Sequence, residues 1–91
     1  MDAESDDNQV QAACVALDNA MIASGAMLQG VSPWDSDHPD VIAAWDALTQ
    51  PQNLFALEAR IAAHDEGRAM NQFAANVTRK AIAFSRDRFL R

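Results

Sequence analysis

The sequence lacks most of the residues around which small enzymes and extracellular domains are built. A single cysteine, Cys14, leaves no disulfide to form within the chain. Three glycines, none of them clustered, cannot build a phosphate-holding loop. There is no tyrosine, and the two histidines, His38 and His64, lie far apart in sequence. We therefore expect no catalytic site, no metal site and no cofactor, and the chain is predicted not to be an enzyme.

Long hydrophobic runs are also missing. No apolar run approaches the roughly 18 residues that indicate a membrane span. The first seven residues, Met1-Asp2-Ala3-Glu4-Ser5-Asp6-Asp7, are acidic and are not followed by the apolar segment of a secretory signal. We expect a chain made in the cytoplasm without a cleavable signal peptide or a membrane span, and export by another route stays open.

Positive charge is scarce and lies at one end. The net charge is −6. Residues 1–67 hold twelve of the thirteen acids and one base, Arg60, whereas residues 68–91 hold six bases and one acid. Such a chain can stack head to tail or bind an acidic partner. Nucleic-acid binding is not expected, because no stacking aromatics are interleaved with the bases and the chain as a whole repels phosphate.

The length of 91 residues allows one domain. The acidic residues 1–8 are predicted to be disordered and residues 9–91 to form a single all-α domain. A first helix is predicted over 9–29, ending at Gly30. Its apolar stripe consists of Val10, Cys14, Leu17, Met21 and Leu28.

A second helix is predicted over 38–49. Asp37 is a suitable N-cap, and Pro39 fits the first turn. Its apolar face is expected to consist of Ile42, Trp45 and Leu48. In the connector before this helix, the ring of Trp34 is expected to pack against a neighbouring helix.

The last forty-odd residues predict a long amphipathic helix over 52–90, starting just after Pro51. Its apolar positions recur at intervals of three and four residues: Leu54, Leu57, Ile61, Met70, Phe73, Val77, Ala81 and Phe84. The stripe is interrupted around Gly67, which leaves two options, a continuous helix or a bend that gives a hairpin-like pair. Continuity is favoured, because one glycine without a proline or an Asn-Gly pair is an incomplete turn signal.

A continuous helix of this length would extend over roughly 60 Å at about 1.5 Å per residue. The rest of so short a chain cannot cover it, so part of its apolar stripe is predicted to contact another molecule. The alternative is an internal helical bundle with a bend at Gly67, in which the stripe is simply core.

Several short segments of the C-terminal half carry a resemblance to a known family. They are Leu48-Thr49-Gln50-Pro51-Gln52-Asn53-Leu54, then Ile61, then Val77-Thr78-Arg79-Lys80-Ala81-Ile82, and finally Phe89-Leu90-Arg91. Together they are similar to the inner-rod proteins of bacterial type III secretion systems. In that family a Thr-Asp-Pro helix start is followed by a long helix, a Thr-Arg-Lys segment and a short Leu-Leu-Arg tail. The needle subunits of the same apparatus are a near alternative.

The resemblance implies a structural subunit of a bacterial secretion apparatus, an inner rod that lines the export channel. Copies would self-associate through the C-terminal helix and contact other subunits of the apparatus, after export into the periplasm with an uncleaved signal. A cytosolic chaperone that holds the monomer before export is a further candidate partner. The expected charged contacts are Arg79 and Lys80. The expected packing contacts are Leu54, Leu57, Ile61, Met70, Phe73, Val77, Ala81, Phe84 and Phe89.

Two other readings remain open. A cytosolic helical adaptor or chaperone would bind a partner helix in a groove and would be a stable, folded monomer or dimer. A metal protein or enzyme would be built around His38 and His64, but their spacing lacks the i, i+4 histidine pair of a metalloprotease helix.

Overall fold

The structure of the chain, a computed structural model, describes residues 3–65 and 72–90, and all regular structure within them is helical. This confirms the all-α fold class. The helices are α1 (Ala3–Ala23), α2 (Ala26–Gln29), α3 (Pro39–Leu48), α4 (Leu54–Asp65) and α5 (Gln72–Phe89). Two short 3₁₀ turns, Pro33–Asp35 and Pro51–Asn53, precede α3 and α4.

Helix α1 begins earlier than its composition suggests. Residues 3–8, for which the acidic composition predicts disorder, lie in the first turns of α1. The carboxylate of Asp7 is 3.3 Å from the guanidinium of Arg60 on α4. This long-range ion pair connects the acidic N-terminal residues to α4. Composition alone predicts disorder for these residues because it does not show that Arg60 lies near them.

The predicted first helix over 9–29 is in fact two helices. Gly25 has a φ of 80° and separates α1 from α2. Gly30 ends α2 with a φ of 72°, and its N–H and that of Val31 are bonded to carbonyls of the last turn. Gly30 is therefore confirmed as the stop. The break changes the direction of the apolar face, so Leu28 is 95% exposed instead of lying on the stripe.

Helix α3 lies where the sequence places it, but its cap and its buried face differ in detail. His38, not Asp37, is the N-cap, and its Nδ1 accepts a hydrogen bond from the N–H of Asp40 at 3.2 Å. Trp45 and Leu48 are buried as predicted, together with Val41, whereas Ile42 is 51% exposed.

The single helix over 52–90 is wrong, because α4 and α5 pack against each other. The rings of Phe55 and Phe89 are 6.3 Å apart, and a carboxylate oxygen of Glu58 is 3.9 Å from Arg86. In a continuous helix, positions 55 and 89 would be separated by about 51 Å. The predicted bend at Gly67 lies outside the described residues.

The core forms where α1, α3, α4 and α5 meet. It takes large side chains from α1, α3 and α4, and α5 contributes Val77 and Ile82 together with the fully buried alanines Ala75 and Ala81. The core cluster consists of Val10, Leu17, Met21, Ala26, Val41, Trp45, Leu48, Leu54, Leu57, Val77, Ala81 and Ile82. A single copy therefore closes most of its own interior.

Candidate interaction surfaces

The residues predicted to contact other subunits divide into two groups. Leu54, Leu57, Val77 and Ala81 are buried inside the chain, and Ile61 is half-buried. Phe73, Phe84 and Phe89 keep a large exposed fraction. Met70 lies outside the described residues. The apolar stripe thus stabilises the fold of one copy, and its aromatic positions remain at the surface.

One exposed apolar surface, here called the terminal patch, consists of Phe55, Phe89 and Leu90. These side chains are 71%, 54% and 76% exposed, respectively. The Phe55 and Phe89 rings meet edge to face, with an interplanar angle of 76°. The patch forms because the start of α4 and the end of α5 lie side by side. Exposed apolar side chains that contact each other, unlike scattered ones, are typical of an interaction site.

The terminal patch has a basic rim. Arg86 and Arg88 lie in the last turn of α5, where positive charge complements the helix dipole. Arg88 pairs with the carboxylate of Asp46 on α3. Arg86 is only loosely held, at 3.9 Å from Glu58 with 56% of its own side chain exposed. A partner of the patch would therefore meet an available guanidinium at its edge.

A second surface, here called the groove, lies between α1, α2 and the first half of α5. It encloses about 1080 Å³. Its floor is formed by the buried side chains of Leu17, Met21 and Val77, and its exposed rim includes Ile22 and Met27. Phe73, at the start of α5, also lines it. The groove is apolar, and its methionines can adapt to different shapes.

Two charged side chains, Asp18 and Arg60, line the groove. Arg60 is already paired, with Asp7 at 3.3 Å and with the side-chain oxygen of Gln11 at 3.0 Å. Within the part of the chain that the structure describes, the carboxylate of Asp18 has no hydrogen bond or ion pair. Partial burial raises the pKa of Asp18 above its usual range. The groove therefore contains an acidic group that has no partner among the described residues.

Cys14 lines the same groove but is not activated. Burial raises the pKa of the Cys14 thiol, and the positive charge of Arg60 lowers it to a smaller extent. A thiol with a raised pKa is a weak nucleophile, because the thiolate is the reactive form. Cys14 therefore packs as a small, half-buried apolar side chain.

The predicted charged contacts lie on another exposed part of α5. Arg79 and Lys80 are both exposed. The ammonium of Lys80 is 5.4 Å from the centre of the Trp34 ring, and that ring lies 5.7 Å from the ring of Trp45. Trp34 thus packs on the neighbouring helix α3, as expected for a loop tryptophan.

The described residues offer no grouping that suggests catalysis. Residues 3–65 and 72–90 contain no set of three or more His, Cys, Asp or Glu side chains placed to hold a metal ion. His38 serves as a helix cap. His64 is half-buried near the end of α4. No helix among the described residues has the length and apolar character to cross a membrane.

Sequence reasoning missed four surface residues, namely Phe55, Leu90, Ile22 and Met27. Phe55 directly follows a core leucine and so points away from the stripe, which was a signal available in the sequence. The role of Ile22 and Met27 at a groove rim depends on the turn at Gly25 and on how α5 packs.

Comparisons with protein-family models, with curated proteins and with solved structures found no match.

Proposed function

We propose that this chain is a structural subunit of a type III protein secretion apparatus, an inner-rod protein that assembles through its C-terminal half. The observation that supports this most is the terminal patch. Phe55 and Phe89 expose two apolar rings that contact each other, and the neighbouring Leu90 is also exposed, although the chain has a closed core of its own. Covering such a surface with a neighbouring subunit would remove it from water, which favours association.

The family-like segments also pack together. Ser85, three residues after the segment that ends at Ile82, donates a hydrogen bond from its hydroxyl to the Gln50 carbonyl at 2.8 Å. Leu54 and Leu57 share one core cluster with Val77 and Ala81. The helix start near Pro51 and the Thr-Arg-Lys segment therefore belong to one structural unit, which presents the terminal patch at its end.

This arrangement assigns different roles to the residues of the predicted stripe. The buried leucines Leu54 and Leu57 stabilise the subunit, whereas Phe55 and Phe89 contact a neighbour. Arg79 and Lys80 add charged contacts to acids of an adjacent copy or of another subunit of the apparatus. In the cytoplasm, a chaperone would cover the terminal patch until export into the periplasmic rod.

The test is sedimentation equilibrium of the purified chain and of the double variant Phe55→Ser/Phe89→Ser. We expect the wild type to associate as its concentration rises and the double variant to remain monomeric. Both positions are exposed, so the variant should lose less than about 1 kcal/mol of folding stability. The matched control is Ile42→Ser, which removes an exposed apolar side chain from α3 and should not change association.

A cellular assay then connects assembly to export. The wild-type chain is replaced by Arg79→Glu/Lys80→Glu in a host strain, and secretion through the type III apparatus is measured. We expect secretion to be lost while the purified double variant keeps its helical circular-dichroism spectrum. Unchanged secretion would count against the charged contacts.

A second candidate function is a helical adaptor that binds an amphipathic helix of another protein. The groove favours it, because an apolar cleft between helices is a common way to hold a partner helix. An adaptor would remain monomeric or dimeric at every concentration, and its partner would be a different protein. The sedimentation experiment therefore separates the two candidates.

A further inference from the structure

The terminal patch and the groove lie at opposite ends of α5. Phe73 lines the groove at the start of the helix, and Phe89 belongs to the patch at its end. Sixteen residues of α-helix separate them by about 24 Å. One copy therefore cannot place its own terminal patch in its own groove.

The two surfaces are complementary in character. Both are apolar, and each has a charged side chain beside it. Asp18 lines the groove and has no partner among the described residues, and Arg86 beside the patch is 3.9 Å from Glu58. The helices that carry them differ in overall charge. Helix α1 contains four acids and no base, while α5 contains four bases and one acid. Three of the acids of α1 lie in its first turns, and Asp18 is the one that lines the groove, so Asp18 supplies the attraction that would orient the end of α5 of another copy over the groove.

We infer that the terminal patch of one copy docks in the groove of the next copy, with Arg86 facing Asp18. This contact rests on the proposed function and specifies which surfaces meet. Phe89 and Leu90 enter the apolar groove between Ile22 and Met27. Asp18 gains a cationic partner, which residues 3–65 and 72–90 of its own chain do not supply.

Such a contact joins two different surfaces and is heterologous. After the first pair has formed, one copy still has a free groove and the other a free terminal patch. A heterologous contact that does not close into a ring continues into an open helical stack. The chain would thus carry both halves of a repeating contact.

Two variants, each defective in one surface, test the inference with the full-length chain. Ile22→Lys blocks the groove, because the new ammonium lies one helical turn after Asp18 and can pair with it, an i, i+4 arrangement that also favours the helix. Phe89→Ser/Leu90→Ser removes two members of the terminal patch. Each variant alone should be monomeric and should keep the helical content of the wild type. Ile42→Lys, the matched control on α3, should associate like the wild type.

The decisive sample is an equimolar mixture of the two variants, measured by sedimentation equilibrium. The intact patch of the first variant can dock in the intact groove of the second, and further growth is blocked at both ends. We expect a heterodimer of twice 9.9 kDa and no larger species. If the mixture stays monomeric while the wild type associates, the inference is overturned and the proposed assembly function survives through another surface.

A wild type that is monomeric at every concentration would overturn both the inference and the proposed function.

A charge exchange gives an independent check of the Asp18–Arg86 pairing. Asp18→Arg and Arg86→Asp should each weaken association on the order of tenfold, and the double exchange should restore it. Failure of the double exchange to restore association would overturn this pairing.

Discussion

The hydroxyl of Ser85 donates a 2.8 Å hydrogen bond to the backbone carbonyl of Gln50. Ser85 is fully buried near the end of α5, and Gln50 is the residue before the 3₁₀ turn that leads into α4. The bond links two parts of the chain that are 35 residues apart in sequence. It holds the end of α5 beside the start of α4, which is the arrangement that creates the terminal patch.

Replacing Ser85 by alanine should lower the free energy of unfolding by about 1 kcal/mol. The loss is moderate because the Gln50 carbonyl also accepts a hydrogen bond from the N–H of Asn53 and so keeps one partner. Urea unfolding of Ser85→Ala would measure it. The control is Asn76→Ala, which removes an exposed polar side chain from the same helix and should change stability by less than about 0.5 kcal/mol. Equal losses of unfolding free energy in the two variants would show that the hydrogen bond of Ser85 does not stabilise the fold.

Asn53 should tolerate substitution by aspartate poorly. Its side-chain nitrogen donates to the carbonyls of Ala47 and Leu48 at 3.1 and 3.0 Å, and the whole residue is buried. A carboxylate in its place would face those carbonyl oxygens without a donor. We expect Asn53→Asp to lose about 3 kcal/mol at neutral pH.

The loss in Asn53→Asp should depend on pH. Burial and the neighbouring oxygens would raise the pKa of the new carboxyl group, so the folded state binds its proton more tightly than the unfolded state does. Relative to the wild type, the variant should therefore be least destabilised below the unfolded pKa and lose stability as pH rises through the folded pKa. Asn76→Asp at an exposed position is the control. A loss in Asn53→Asp that does not vary with pH would contradict this explanation.

The thiol of Cys14 should react slowly with iodoacetamide at pH 8. Burial raises the pKa of Cys14, and the folded chain therefore contains less of the reactive thiolate than an unfolded chain does. We expect alkylation to speed up severalfold when the chain is unfolded in urea, as followed by mass spectrometry. Equal rates for the folded and unfolded chains would show that the thiol is neither buried nor raised in pKa.

Asp18→Asn should stabilise the isolated monomer at pH 7. Burial raises the pKa of Asp18 above its reference value of 3.8, so the folded state binds this proton more tightly than the unfolded state does. The resulting stabilisation of the folded state is complete below pH 3.8 and is lost as pH rises through the folded pKa. The neutral amide avoids this loss. Because the Asp18 side chain is exposed and solvent screens the cost, the melting temperature should rise only slightly at pH 7 and remain near the wild-type value at pH 3. The same variant should associate more weakly. A variant that lowers the melting temperature at pH 7 would show that Asp18 has a stabilising partner within the monomer.

Local features of the fold could be predicted from the sequence because single residues determine them. Gly30 ends α2 and Pro39 begins α3, as expected. The pairing of α4 with α5 could not be predicted in this way. It depends on the long-range hydrogen bond between Ser85 and Gln50 and on the burial of α4 and α5 side chains in one shared core, neither of which has a local signal.

The interaction surfaces were harder to predict for a related reason. Periodicity shows that Ile42 and Leu28 are apolar positions on helices, but it does not show where a neighbouring helix lies. The structure buries Val41 in place of Ile42 and leaves Leu28 exposed after the turn at Gly25. Similarly, the groove forms from parts of α1, α2 and α5 that are distant in sequence, so no short motif could indicate it.

The most direct test of the central claim is sedimentation equilibrium of the wild-type chain beside Phe55→Ser/Phe89→Ser over a hundredfold range of concentration. We expect the wild-type mass to rise above 9.9 kDa with concentration and the double variant to stay at the monomer mass while keeping its helical spectrum. A wild-type chain that stays monomeric throughout, or a double variant that associates as strongly as the wild type, would contradict assembly through the terminal patch.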